Sequence, residues 1–324
     1  MRKLVQGLAA LALSVGLAAA PATAQEAVDS GMTIYMQMGG NPGDAATLAR
    51  ELGARDAARV LNVKLIEQHS GWDPQRMVVQ ANEALAAQPD AIIVMGHAGT
   101  DAMSAFLEKA KADGIVVVVN NNALPGTDLS YIGLDNYGAG RNLASLTIQN
   151  GKLEPGDQVV VYGAFIEGAP GFDVAKGTTD VLDEAGISYD TLQWSNEAVL
   201  DPALSVPVLV AYLESNPETK AIIVPGHGGI TAVLGRVLED AGKAPGEITT
   251  SGFDISPGAI QAVKDGYLTV VLDQQPYLQG FLPVLAAVLQ AKYGLTGMNL
   301  NTGGGYLTRD NVEALEALIA TGIR

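Results

Sequence analysis

Residues 91–97 read Ala-Ile-Ile-Val-Met-Gly-His, and residues 221–227 read Ala-Ile-Ile-Val-Pro-Gly-His. Each continues through a small residue to Gly99 or Gly229 and then into a helix-like pattern. A short apolar run that stops at Gly-His and restarts as a helix describes the carboxyl end of a buried parallel strand. Two copies 130 residues apart predict two lobes of the same build. Ala, Ile, Val and Gly are abundant enough to produce such matches by chance, so the intervening chain decides.

That chain alternates strand and helix with short turns. Residues 33–38, 63–66, 91–95 and 115–119 read as strands, with helices over 45–61, from Pro74, and over 101–112 between them. Asp44 is a plausible cap for the first helix, and Asp73-Pro74 is a cap followed by a first-turn proline. A short strand at 131–134 precedes Asp135-Asn136, and the pattern restarts. Strands are expected at 159–162, 189–194, 221–224, 248–253 and 268–272. Asp201-Pro202 is expected to open one helix to Leu213, and residues 230–241 to form another. Pro283 should kink a long helix over 276–293. A last helix over 312–320 follows Gly303-Gly304-Gly305, with Thr308 or Asp310 as its cap. The expected class is α/β, two Rossmann-like lobes with parallel sheets covered on both sides.

Ligands of open parallel sheets lie at the carboxyl ends of the strands. The polar residues that end the strands are therefore the binding candidates: Asn41 and Asp44, His97, Asn121 and Asn122, His227, Asp254 and Gln274. The Gly-rich loop over 163–171 adds Phe172 and Asp173 at the start of the next helix.

The first 24 residues stand apart. Arg2 and Lys3 precede an apolar run from Leu4 to Ala20, and Pro21-Ala22-Thr23-Ala24 follows. This is the pattern of a secretory signal cleaved after Ala24, which predicts a mature protein outside the cytoplasmic membrane, in the periplasm. Removing Arg2 and Lys3 from 19 basic residues leaves 17 against 35 acidic ones, a net of −18. That balance argues against nucleic acid as a partner. The chain has no cysteine, which excludes thiolate chemistry, and only three histidines, so no metal or other cofactor is expected.

The chain resembles the periplasmic sugar-binding proteins of ABC importers, the ribose and galactose type, over essentially all of residues 25–324. The residues that carry the resemblance are Asn41-Pro42, Asp73-Pro74, Asp135-Asn136, Gly252-Phe253-Asp254, and Gln274 with Pro276. It implies the type I binding-protein fold: two lobes joined by three hinge crossovers, near Asn136, near Gln274 and in the tail from Met298 to Gly305. The first lobe would hold residues 25–136 plus 275–303, and the second 137–274 plus 304–324. The family's ligand residues fall on Asn41, Asp254 and Gln274. Its Asp-Arg pair falls on Asn121-Asn122, and its two aromatics after the Asn-Pro turn fall on Gly43 and Asp44. The arginine expected near Asp173 and Val174 is absent.

The resemblance implies a monomer that binds a small sugar or polyol and delivers it to a membrane permease, with no chemistry of its own. Amides both donate to and accept from hydroxyls, and an ionised aspartate accepts two hydroxyl protons. Asp254 also has a structural reading, as a helix cap before Ser256-Pro257. Asn121 and Asn122 equally suit a turn. His97 and His227, after equivalent strands, either reach the ligand from opposite sides or bond backbone. Trp72, Phe172, Trp194 and Phe253 are the candidates for covering a sugar face. Three rival readings are a sugar-processing enzyme, a repressor's effector domain, and a sensory protein presenting a sugar or quorum signal to a receptor. No nucleophile elbow, phosphate loop or paired metal motif favours the first. A signal segment stands where the second needs its DNA-binding headpiece.

Overall fold

A computed structural model describes residues 30–324; the secretory signal predicted for residues 1–24 lies outside them. Ten strands follow the expected order. They are β1 Thr33–Gly39, β2 Lys64–His69, β3 Ala91–Met95, β4 Val116–Asn121, β5 Ser130–Gly133, β6 Gln158–Gly163, β7 Ser188–Gln193, β8 Thr219–Ile223, β9 Thr249–Phe253 and β10 Val270–Asp273. Two three-residue strands, β11 Asn299–Asn301 and β12 Gly305–Leu307, complete the set.

The strands form two six-stranded sheets, ordered β11-β5-β4-β3-β1-β2 and β12-β10-β9-β8-β6-β7. All pairings are parallel except β10 with β12. The chain passes from one sheet to the other three times, after β5, after β10, and between β11 and β12.

Alternation along each strand feeds both faces of its sheet. In the first sheet Ile34, Met36, Ile93 and Val118 pack on one side. Ile92, Val94, Val117 and Val119 pack on the other. In the second, Val159, Val161 and Ile223 oppose Val160, Tyr162 and Ile222. All five residues of β3 are buried, which is why that run reads as continuously apolar.

Each lobe pairs its own first helix with the helix that enters from the other lobe. In the first lobe, Ala45–Leu61 crosses Pro276–Tyr293 at Gly53 and Gly280. A Cβ at either would lie 2.0 Å from a backbone oxygen of the opposite helix, that of Tyr277 or Arg50. In the second lobe, Asn136–Gly151 crosses Phe172–Ala185 at Gly140 and Gly177, where a Cβ would lie 2.0 and 2.1 Å from the Val174 and Tyr137 oxygens. The two crossings are structural equivalents, and each admits only glycine on both helices.

Several local expectations change. Asp44 occupies the cap position, but its side chain makes no cap hydrogen bond to the helix. It accepts instead from Asn41 N–H at 2.9 Å and closes the turn before the helix. Asp201-Pro202 opens only a 3-10 turn, Pro202–Leu204, before the helix Ser205–Ser215. Residues 230–241 form two short helices, Gly228–Ala232 and Leu234–Asp240, with Val233 between them. Asn311 holds the cap position of the last helix, Val312–Ile319. Pro283 sits buried inside its helix, where it removes the N–H due to bond the Gln279 carbonyl.

Candidate functional site

The carboxyl ends of the two sheets face one cavity of about 390 Å³. The first lobe contributes Arg50, Trp72, His97, Asn121 and Asn122, and the second Trp194, His227, Phe253 and Asp254. Asn136 and Gln274, each just beyond a crossing strand, line it too. A smaller space of about 230 Å³ shares His97, Asn122 and Asn136 with it and extends to Phe172 and Asp173.

The lining residues come in pairs from equivalent strands. Trp72 follows β2 and Trp194 follows β7; His97 follows β3 and His227 follows β8. Within each lobe the tryptophan packs against the histidine, with ring centroids 5.7 Å apart for Trp72 and His97 and 5.6 Å for Trp194 and His227. Asn121 ends β4 and Asp254 follows β9. Both adopt left-handed backbone, at φ 60° and 63°. Trp72 does so as well, at φ 63°. Such conformations cost of order 1–3 kcal/mol in a non-glycine residue, and they concentrate where side chains must be aimed.

The Asp254 carboxylate is partly buried and accepts from Gln274 Nε2 through Oδ1 at 2.6 Å. Ser256, not Asp254, caps the helix Pro257–Asp265 through its bond from Ala259 N–H. The aspartate is therefore free of the structural role that competed for it. Gly228 abuts it: a Cβ there would lie 2.6 Å from Asp254 Cβ. Burial pushes the Asp254 carboxyl up to about 6, opposed by the Gln274 bond; Asp273 adds to the rise, and Arg50 reduces it.

The histidines differ despite their equivalent positions. His227 Nδ1 accepts from Ile230 N–H at 3.1 Å and caps its helix. His97 Nδ1 is buried with no partner. Burial, then the Arg50 charge, lowers His97 to about 4, so its ring is neutral at ordinary pH. Burial also lowers His227. The third histidine, His69, bonds Glu51 at 2.7 Å. With Glu67 these two form a cluster of metal-ligand type, but Arg55 already binds both carboxylates.

Asn41 and Asp44 do not line the cavity. They lie exposed on the turn that packs against Trp72, where a Cβ on Gly40 would lie 2.7 Å from Trp72 Nε1 and 3.0 Å from Asp44 Oδ2. Two residues outside the sequence-based candidates are central. Arg50 is 1% exposed and lines the cavity. It donates through Nη1 to the Met38 carbonyl at 2.7 Å and through Nη2 to Gln279 Oε1 at 3.0 Å. Gln279, fully buried, also accepts from Asn121 Nδ2 at 2.9 Å. Arg50 was detectable: it shares a helical face with Ala54, Ala57 and Leu61, all buried, and a charge on such a face needs a reason.

The family model for the periplasmic binding protein domain matches residues 15–295. The chain belongs to the periplasmic binding protein family. This binding protein is 27% identical over 283 residues to the xylose/arabinose-binding protein XylF of Sulfolobus acidocaldarius, covering 81% of this chain and 68% of the relative. It is 26% identical over 240 residues to the ribose import binding protein RbsB of Bacillus subtilis, covering 72% and 74%. In fold it matches the carbohydrate transporter of Acidothermus cellulolyticus solved with myo-inositol, at TM-score 0.73 and 24% identity, over 90% of this chain and 99% of that one. The two sheets with three crossings are the type I binding-protein fold, the class that the sequence predicts.

Proposed function

We propose that this binding protein captures a sugar or polyol between its lobes and delivers it to an ABC permease. The observation that carries this reading is the cavity of about 390 Å³ lined from both lobes, with the Asp254–Gln274 pair on one side and Asn121 and Asn122 on the other. Relatives named for xylose, arabinose and ribose bring the same ligand class. A ligand that touches both walls binds the closed arrangement more tightly than the open one, and so shifts the population toward closure. A permease that recognises only the closed form then receives loaded protein.

The division into lobes goes with this reading: residues 25–136 plus 275–303, and 137–274 plus 304–324, hinged at the three crossings. So do export to the periplasm by the signal in residues 1–24, a monomeric state and the absence of catalysis. The ligand set proposed is Asp254, Gln274, Asn121, Asn122 and His97, with His227, Phe172 and Asp173 at its margins. Asn41 and Asp44 would act through Trp72.

The test is a panel of pentoses, hexoses and polyols against the mature protein, read by thermal shift and confirmed by calorimetry. A true ligand at 100 times its Kd stabilises the folded state by about 2.7 kcal/mol, a clear rise in Tm. A panel that leaves Tm unmoved, or that yields chemically altered sugar on incubation, rejects the reading.

A further inference from the structure

Among the described residues, Arg50 is a buried cation with no anion in contact. Its two hydrogen-bond acceptors, the Met38 carbonyl and the Gln279 amide, are neutral. It makes no ion pair among the described residues, and its Nε has no partner. Trp72 covers it, with Arg50 Cζ 5.7 Å from the ring centroid. Burial lowers its pKa only to about 10, so it stays charged at any physiological pH. Removing such a charge from water is costly unless an opposite charge answers it. Among the described residues, the one carboxylate whose field reaches it, Asp254, sits on the opposite lobe and is engaged by Gln274; raised by burial only to about 6, it is ionised at pH 7.5 and acts on Arg50 across the cleft, not by contact.

His97 stands on the same wall. Seven buried side-chain nitrogen and oxygen atoms lack partners among the described residues, and only Arg50 Nε and His97 Nδ1 belong to residues lining the cavity. The first is an obligate N–H donor. The second is one in the neutral tautomer that carries its proton on Nδ1. Both atoms are themselves closed to solvent, so what the first lobe brings to the cavity is the charge of Arg50, while the second lobe offers an acceptor for hydroxyl protons.

We propose that the cleft is built for an acidic sugar, a polyhydroxylated ligand bearing one carboxylate that answers the Arg50 charge on the first-lobe wall, with its hydroxyls held by Asp254 and Asn122. The inference rests on the sugar-binding reading and narrows it. A carboxylate brings a single charge for a single cation. A phosphate ester brings up to two charges and three oxygens into a cavity that already holds Asp254, so it fits less well.

Calorimetry on the mature protein at pH 7.5 with matched pairs tests this: xylose and xylonate, glucose and gluconate, galactose and galacturonate, with glucose 6-phosphate as the other anion. A charge-assisted pair in place of a neutral one predicts that one acid binds about 30-fold more tightly than its parent sugar. Arg50→Gln is expected to bring that acid down to its parent's affinity, and Arg50→Lys to keep most of the difference. A parent sugar that binds as tightly as its acid overturns the proposal and leaves the sugar-binding reading standing. Tightest binding of the phosphate ester overturns the carboxylate assignment. No binding by any member of the panel overturns the sugar-binding reading itself. Where Arg50→Gln does not fold, the wild-type pairs alone decide between the acid and its parent sugar.

Discussion

Arg50 and Gln279 lie 229 residues apart in the chain, and Arg50 Nη2 donates to Gln279 Oε1 at 3.0 Å. The same oxygen accepts from Asn121 at 2.9 Å. The Gln279 amide nitrogen donates to Thr302 Oγ1 at 3.0 Å and to the Gln274 carbonyl at 3.3 Å. One buried amide therefore ties the first-lobe wall of the cleft to two of the three crossings. Replacing Gln279 by Leu leaves a guanidinium hydrogen and an amide hydrogen unanswered in the interior. The expected cost is about 2–4 kcal/mol, read as a lower urea midpoint at unchanged slope, together with weaker ligand binding because Arg50 and Asn121 lose their common anchor.

Asp254 gives the cleft a pH dependence with two opposite signs. Its carboxyl is raised to about 6 in the folded protein. Between that value and the ordinary carboxylate range, the folded chain holds a proton that the unfolded chain has lost. Its contribution to the stability of the ligand-free protein therefore grows as pH falls through about 6 toward 4. Ligand hydroxyls need the ionised form, so affinity falls over the same range, about tenfold per pH unit below 6. His97, lowered to about 4, titrates below this window, and Arg50 above it. Calorimetry at pH 7.5, 6 and 5 should show the decline in wild type and a flat profile in Asp254→Asn. A flat wild-type profile rejects Asp254 as the acceptor.

The glycine crossings make a prediction about stability alone. Gly53→Ala and Gly140→Ala each drive a methyl group against a backbone oxygen of the facing helix, at 2.0 Å. Backbone cannot rotate away as a side chain can. Each variant is expected to lose about 3 kcal/mol, the upper end of the overpacking range, with ligand affinity of the folded fraction little changed. Chemical unfolding with parallel calorimetry separates the two effects, and a Tm equal to wild type would show that the helices move apart freely.

The chain contains two tryptophans, and both line the cavity. Ligand binding should therefore shift intrinsic fluorescence without any attached label. Trp72→Phe retains the Trp194 signal and Trp194→Phe the Trp72 signal, one reporter per lobe. A ligand that spans the cleft changes both. A change in one variant only would place the ligand against a single lobe.

The sequence by itself determined the lobes. Buried parallel strands announce themselves locally, as in Ala91–Met95, because both faces of each strand are apolar, and the residues that stop them are polar. His97, Asn121, Asn122, His227, Asp254 and Gln274 were legible on that ground, and the structure gathers all six around one cavity. Three-residue strands such as Asn299–Asn301 carry too short a pattern to be seen, and the break at Val233 falls within a continuous apolar stripe. What only the tertiary structure decided was partnership. Asp44 closes its own turn rather than facing the cleft, Ser256 releases Asp254 from capping, and His227 is occupied where His97 is not. Arg50 and Gln279 read as ordinary helix residues until the chain folds. The physical reason is range: helix and strand follow from neighbours a few residues apart, whereas a buried charge takes its meaning from groups brought to it across two hundred residues.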